Sequence, residues 1–425
     1  MAAVLFAFVA LFLLLIAAPV FIAILAPTLL TFELFGPPLP AMALTQQMMQ
    51  GINKFSLLAI PLFMFAADII SRGEIGERLL RLVQTTVGHL HGGIAITTAV
   101  TCALFGAVSG IGQAAIVSIG PIVYPALVRQ GYSRGFAAGL ILCASTLAML
   151  IPPSVAMILY SLATTSSVGG VFLAGLGTGL VFMFLLAIYC YAYARAQRVD
   201  RQPRASWKER YAALRRAGWS LGLPAIIFGG IYAGTFTPTE AASGACVYAL
   251  FVEMIVYRKL NLAGLYDATA RSSVVIASLL VLLTAGSAMA YFLTLQNVPQ
   301  VLAGLMGDTS TTGFLLSVNL VFLITGMFID PNSAIIVLTP LFHPIALALS
   351  IDPLHLGAVI VFNVAIGMIT PPFGLNLFVG VATFKLPYHE IAKSVLPFIG
   401  IALVTLLLIS YIPAIATWLP RLVGI

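Results

Sequence analysis

Two stretches of this sequence break the pattern around them in the same way. Ala148-Met-Leu-Ile-Pro-Pro-Ser154 and Gly367-Met-Ile-Thr-Pro-Pro-Phe-Gly374 each set a Pro-Pro pair inside a long apolar run. Proline removes an amide donor and clashes with the preceding turn, and glycine is a weak helix former. A helix interrupted there leaves carbonyls on one side and amides on the other without intrahelical partners. The carbonyls carry partial negative charge and suit a small hard cation. The amides carry partial positive charge and suit a carboxylate. The chemistry on offer is binding: a cation and an organic anion held side by side by main-chain dipoles.

Two further apolar regions, about 88–127 and 313–348, are interrupted near their middles by glycine, proline and small polar residues. Each fits a re-entrant helical hairpin, because irregular backbone at membrane depth survives only when buried in protein or lining a wet cavity. The first tip reads Gly106-Ala-Val-Ser-Gly-Ile-Gly-Gln-Ala114. Here Gly110 and Gly112 permit a tight turn, and Ser109 and Gln113 add a hydroxyl and an amide. Paired with 148–154, this tip makes one candidate site, which brings in Ala148, Ile151, Pro153 and Ser154. The second tip, Gly326-Met-Phe-Ile-Asp-Pro-Asn-Ser333, pairs with 367–374, where Thr370 offers a hydroxyl and Asn376 lies just beyond. Asp330 could ligate a cation or cap the turn. Gln113, Ser154, Asn332 and Asn376 are the polar groups available to a substrate.

The two sites are copies. A shift of 219 residues lays Pro121 on Pro340, Pro125 on Pro344, and Pro152-Pro153 on Pro371-Pro372. Ala115 meets Ala334, Gln113 meets Asn332, Met149 meets Met368 and Pro19 meets Pro238. A one-residue gap brings Gly106 onto Gly326. Candidate spans fall near 1–17, 19–36, 55–71, 136–162, 168–194, 217–235, 240–257, 273–295, 355–381 and 391–415, the first two being one tilted span or two. Five spans, an odd number, separate the hairpins, so the second copy sits inverted relative to the first, the pattern that marks a secondary transporter's binding site.

The fold class is therefore an all-α polytopic membrane protein of about ten transmembrane helices plus two re-entrant hairpins, arranged as an inverted repeat. The first repeat covers 1–194, with hairpin 88–127 and broken helix 136–162. A basic linker covers 195–216, and the second repeat 217–425, with hairpin 313–348 and broken helix 355–381. Only 8% of residues are charged, against about 25% in soluble domains. The linker holds eight of the twenty Lys and Arg residues, so the positive-inside rule places it in the cytoplasm and both termini outside. The first thirty residues lack a basic leader and read as retained membrane structure. The segment from Arg72 to Val83 reads as an amphipathic interfacial helix, either a link between a fixed and a moving part or a passive surface helix.

Other chemistries find little support. Cys102, Cys143, Cys190 and Cys246 are far apart and read as small buried hydrophobes. No phosphate-binding loop is present, so driving energy must come from an ion gradient or another chain. No arginine series marks a voltage sensor and no repeated filter marks a channel. The net charge of +7 does not suggest nucleic-acid binding. Among acidic residues at apparent membrane depth, Asp68 reads as reaching water, Glu240 as an alternative helix-start charge, and Glu253 as a further candidate. His89 and His91 read as interfacial and His343 as packed.

Together, Pro61-Leu-Phe-Met-Phe-Ala66, Val87-Gly-His-Leu-His-Gly-Gly93, Phe105-Gly-Ala-Val-Ser-Gly110, Ile151-Pro-Pro-Ser154, Gly234-Thr-Phe-Thr-Pro-Thr-Glu-Ala241, Phe328-Ile-Asp330 and Ile369-Thr-Pro-Pro-Phe-Gly374 carry a resemblance over essentially the whole chain. The sequence resembles the large membrane subunit of tripartite ATP-independent periplasmic (TRAP) transporters. The resemblance implies Na⁺-driven import of an organic acid, such as a dicarboxylate or sialic acid, across the bacterial inner membrane. It also implies an elevator-type fold, a periplasmic binding protein that delivers the substrate, and a small four-helix membrane subunit on a separate chain. Na⁺ is the coupling ion and no cofactor is implied. By motif, Ser109, Gly110, Gly112, Ala148, Ile151 and Pro153 would hold one Na⁺. Gly326, Asp330, Gly367, Thr370 and Phe373 would hold another, largely through carbonyls. The family's first tip commonly reads Ser-Gly-Ser, whereas here Ile111 follows Ser109-Gly110, which leaves the ion count open. Rival readings are a stand-alone Na⁺/carboxylate symporter on the same scaffold and a lipid-modifying membrane enzyme; the second lacks a nucleophile–base or metal constellation.

Overall fold

The computed structural model describes residues 2–424 apart from 17, 36–40, 299–300, 302–303 and 305–309. The first 35 residues form two helices, α1 (Ala2–Leu15) and α2 (Val20–Phe35), packed on each other. Helix α3 (Ala41–Ile52) passes through a 3₁₀ turn at Phe55–Leu58 into α4 (Ala59–Ser71), with a bend of 55°. An amphipathic helix, α5 (Ile75–Val87), then leads to a helical hairpin, α6 (Gly93–Ser109) and α7 (Gly112–Arg129). Helix α8 (Arg134–Ser145) extends through the turn Leu147–Leu150, breaks, and resumes as α9 (Val155–Thr164) with a 41° bend. The long α10 (Val168–Ala196) ends this half.

After the basic linker come α11 (Trp207–Tyr232), α12 (Pro238–Leu250) with a π-helical extension at Phe251–Val256, and α13 (Leu262–Leu295). A second hairpin, α14 (Thr311–Phe328) and α15 (Pro331–Ala348), precedes a second broken helix, α16 (Pro353–Gly367) and α17 (Leu375–Phe384). Helices α18 (Tyr388–Tyr411) and α19 (Ala414–Leu422) complete the chain.

Six of the described helices are long and apolar enough to cross a membrane, or up to eight with each bent pair as one span; two of the six, α14 and α15, are the arms of the second hairpin. The expected spans at 1–36, 217–235 and 355–381 fall on shorter or mixed helices: α1 and α2 have 14 and 16 residues, α11 starts with a basic, solvent-facing stretch, and α16 and α17 are half-helices separated by the break.

The repeat is visible in local geometry. Helices α7 and α15 are each 18 residues long and carry internal prolines at Pro121 and Pro125 and at Pro340 and Pro344. Ser133 caps α8 as Asp352 caps α16. Both Pro-Pro bonds are cis. The half-helices after them end on left-handed residues, Thr165 (φ 55°) and Lys385 (φ 53°).

Burial divides the molecule. From Phe136 to Ser145 and from His355 to Gly367 every residue is buried, as expected for helices apolar all round that form the axis of a bundle. Each is flanked by its own hairpin, and the halves cross over: α9 packs on α15, and α17 on α7. Against this body lies a second group, in which α13 packs on α2, α3 and α4, and α12 packs on α4 and α11. Helix α5 touches both groups through α6 and α11.

The linker folds back on the first hairpin. Arg201 Nε donates to His91 Nε2 at 2.9 Å, just before α6, and Gln130 Nε2 donates to the Asp200 carbonyl at 2.9 Å, just after α7. Both feet of this hairpin therefore stand on one face of the protein. Glu240 resolves as a helix cap: it and Thr237 form a reciprocal capping box at the start of α12.

Candidate cation and carboxylate site

The first tip is built on glycine. The Gly110 amide closes α6 by donating to the Gly106 carbonyl at 2.7 Å, and Gly110 then turns left-handed at φ +63°. A Cβ there would lie 2.2 Å from the Pro153 carbonyl oxygen, and one on Gly106 would lie 2.3 Å from Ala148 Cα. Gly112 has similar limits, its added Cβ falling 2.9 Å from the Ser145 carbonyl oxygen. The carbonyl end of α6 thus sits directly on the first break. Ser109 is buried in this contact and its hydroxyl accepts from the Ile111 amide at 3.5 Å. On the far side, Ile151 ends the short turn by donating to the Leu147 carbonyl, and buried Ser154 caps α9.

The second tip meets the second break in the same manner. A Cβ on Gly367 would fall 2.5 Å from the Gly326 carbonyl carbon. Thr370 donates its amide to the Gly367 carbonyl at 3.0 Å and its hydroxyl to the Ile366 carbonyl at 2.7 Å. Its hydroxyl oxygen therefore keeps lone pairs free while its proton is engaged. Asp330 caps α15: one carboxylate oxygen accepts from the Asn332 and Ser333 amides, each at 3.1 Å, and the other from the Ser333 hydroxyl. Of its two open roles, capping is the one the geometry displays, and the carboxylate also borders the cavity described below. The Phe373 side chain is 52% exposed and packs on the Phe328 ring, so Phe373 can serve an ion only through its main chain.

One side chain ties the copies together. Asn376, fully buried at the start of α17, donates Nδ2 to Ser145 Oγ of α8 at 3.1 Å, while its Oδ1 has no hydrogen-bond partner among the described residues. A buried amide oxygen without a donor is costly, about 1–3 kcal/mol, unless a cation or water meets it. Asn376→Leu is expected to lower the melting temperature of the purified chain in detergent and, where a cation meets this oxygen, to weaken any stabilisation by added Na⁺. Unchanged Na⁺ stabilisation in the variant would take this oxygen out of the ion site.

Both tips, with residues flanking both breaks (Met149 and Val155, Met368 and Leu375), line one cavity of about 750 Å³. Gln113 and Asn332 line it, whereas Ser154 and Asn376 lie buried behind its wall. The opposite wall is supplied by α4 and α13, including Asp68, Ser71, Arg271 and Ser278. Neither Asp68 nor Arg271 is a site residue in the sequence reading. Asp68 reads as reaching water at a helix end, and Arg271 precedes the apolar run at 273. The signal for Arg271 is its spacing: residues 271, 275, 278, 279 and 282 recur at helical intervals and all face the cavity.

Hairpins paired with broken helices around a shared cavity are the arrangement found at the binding sites of secondary transporters. The chain belongs to the tripartite ATP-independent periplasmic transporter family, matching its DctM component over residues 6–415. Relatives are TRAP large permease proteins rather than enzymes. The ectoine/5-hydroxyectoine TRAP transporter large permease of Ruegeria pomeroyi is 41% identical over 410 residues, 96% of each chain. The C4-dicarboxylate counterpart of Pseudomonas aeruginosa is 40% identical over 397 residues, 93% of each. The sialic acid counterpart of Vibrio cholerae is 32% identical over 379 residues, 89% of each. The fold is shared with the YdaH transporter of Alcanivorax borkumensis, with a TM-score of 0.65 at 16% identity, covering 99% of this chain and 98% of that one.

Proposed function

We propose that this chain is the Na⁺-coupled permease of a three-part importer in the bacterial inner membrane, carrying a carboxylate-bearing solute. The observation that supports this reading best is the convergence of two hairpin tips and two helix breaks on one cavity. Ectoine, C4-dicarboxylates and sialic acid, for which the relatives are named, all carry a carboxylate. Na⁺ fits the donor set: helix-end carbonyls, the Ser109 and Thr370 hydroxyls and the undonated Asn376 oxygen are hard, uncharged ligands. The first tip would hold one ion with Ala148, Ile151 and Pro153, and the second would hold another with Gly326, Gly367 and the Phe373 main chain. The amide end of α7, with the Gln113 and Asn332 side chains, would face the carboxylate.

In an elevator mechanism the hairpin body moves against the α2–α4 and α11–α13 wall, with α5 as the connecting arm. A small membrane subunit extends that wall, and a periplasmic binding protein delivers the solute. The test is uptake into liposomes holding this chain and the small subunit, with the binding protein outside. Uptake is expected only with an inward Na⁺ gradient and the binding protein; uptake by this chain alone, or without Na⁺, would overturn the reading. In the same assay Thr370→Ala is expected to raise the half-saturating Na⁺ concentration about tenfold, the effect of losing roughly 1.4 kcal/mol of ligand energy. An unchanged Na⁺ dependence would remove Thr370 from the site.

A further inference from the structure

We infer that Arg271 of α13 grips the carboxylate of the transported solute from the fixed wall of the cavity, an inference that rests on the carboxylate-import reading above. Arg271 lies nine residues into a 34-residue helix whose other charged residue is Asp267, roughly 14 Å along the axis at 1.5 Å per residue. A cation held within such an apolar helix is costly unless it faces water or a partner. Arg271 is exposed, and it faces the cavity, on the stripe shared with Val275, Ser278 and Leu282.

The neighbouring charges leave this guanidinium free. Arg72 and Arg271 both act on the Asp68 carboxylate, and Asp267 stands one turn before Arg271 on its own helix without an ion pair among the described residues. Asp68 pairs with Arg72 at 3.7 Å. Arg271 itself has no ion pair and no hydrogen bond among the described residues, although its charge acts on Asp68. The remaining acid at the cavity, Asp330, is taken up by the start of α15. Five N–H donors in a planar fork therefore face a cavity whose opposite side presents two helix tips. A carboxylate fits a guanidinium through two parallel charge-assisted hydrogen bonds. Because Arg271 belongs to the wall rather than to the hairpin body, it acts in the state in which the cavity opens between them. It thereby favours solutes that carry a carboxylate.

The test is equilibrium binding of radiolabelled ectoine, succinate and N-acetylneuraminate to the purified chain with its small subunit, in Na⁺ buffer. Arg271→Gln is expected to weaken whichever probe binds the wild type by tenfold or more. Arg271→Lys should weaken it less, keeping the charge without the fork. Stabilisation by Na⁺ should be unchanged in both variants, which separates loss of the grip from loss of the fold. Wild-type affinity in Arg271→Gln would overturn the inference while leaving the import reading intact. Failure of all three probes to bind the wild type would overturn the import reading and this inference with it.

Discussion

Gly110→Ala is expected to abolish Na⁺-driven uptake, reducing it at least a hundredfold, in a chain that still inserts and melts cooperatively. The position fails for alanine twice over. Its φ of +63° lies in the region that costs an L side chain about 1 kcal/mol. The added methyl would also stand 2.2 Å from the Pro153 carbonyl oxygen, a main-chain atom that cannot turn away. Relief requires the tip to lift off the break by an ångström or more, and ion ligands tolerate deviations of only a few tenths of that. The Gly106–Ala148 contact just behind leaves no slack for a compensating shift. Uptake and melting measured side by side check this; wild-type uptake in Gly110→Ala would show that the tip-to-break contact is dispensable.

The second large effect lies outside the cavity. Glu253 is fully buried in the π-helical end of α12, and its two carboxylate oxygens accept from the Glu74 and Ile75 amides, each at 3.1 Å. It therefore caps α5 from a different helix, at the joint between the wall and the arm. Gly73 makes room for it: a Cβ there would fall 1.9 Å from the Glu253 carboxyl carbon. The joint is reinforced by Lys259 on Glu74 at 3.1 Å and by Arg78 over the Tyr257 ring at 3.8 Å. Arg78 chiefly holds the Glu74 carboxyl below its usual range, against the opposing effect of burial, and Lys259 adds a smaller lowering. Glu253→Ala removes two charge-assisted hydrogen bonds and leaves two amides of a helix start unpaired, a loss of about 3 kcal/mol. The expected result is a melting temperature several degrees lower and uptake reduced tenfold or more, with Glu253→Gln intermediate because it keeps one acceptor. Melting indistinguishable from wild type would show that the arm is anchored elsewhere.

Much of the candidate site's geometry was legible because it is built from the main chain, and prolines and glycines announce where a main chain departs from a helix. The paired Pro-Pro breaks, the tips at Ser109–Gly112 and Asp330–Asn332, and the 219-residue register all follow from such punctuation. Boundaries were less legible. Helix α13 begins at Leu262 rather than near 273, because its charged first turns dilute hydropathy without interrupting the helix. For the same reason Arg271 falls outside the apolar window, since hydropathy marks where a span is apolar and not which face of its extension meets a cavity. Asn376 could be named as a polar group near the second break, yet its partner Ser145 lies in the other repeat, 231 residues away. Only the crossing of half-helices brings the two together. Glu253 was visible as an acid in an apolar run, but its partners are backbone amides, which no residue type reveals.

The most direct measurement is binding of radioactive sodium to the purified chain, compared among wild type, Gly110→Ala and Gly367→Ala. Each variant disturbs one tip-to-break contact, the second through a methyl 2.5 Å from the Gly326 carbonyl carbon. Saturable binding in the wild type, with a different part of it lost in each variant, is the result expected if the two interrupted helices hold the coupling ions. Absence of saturable binding in the wild type, or binding untouched by both substitutions, would contradict it.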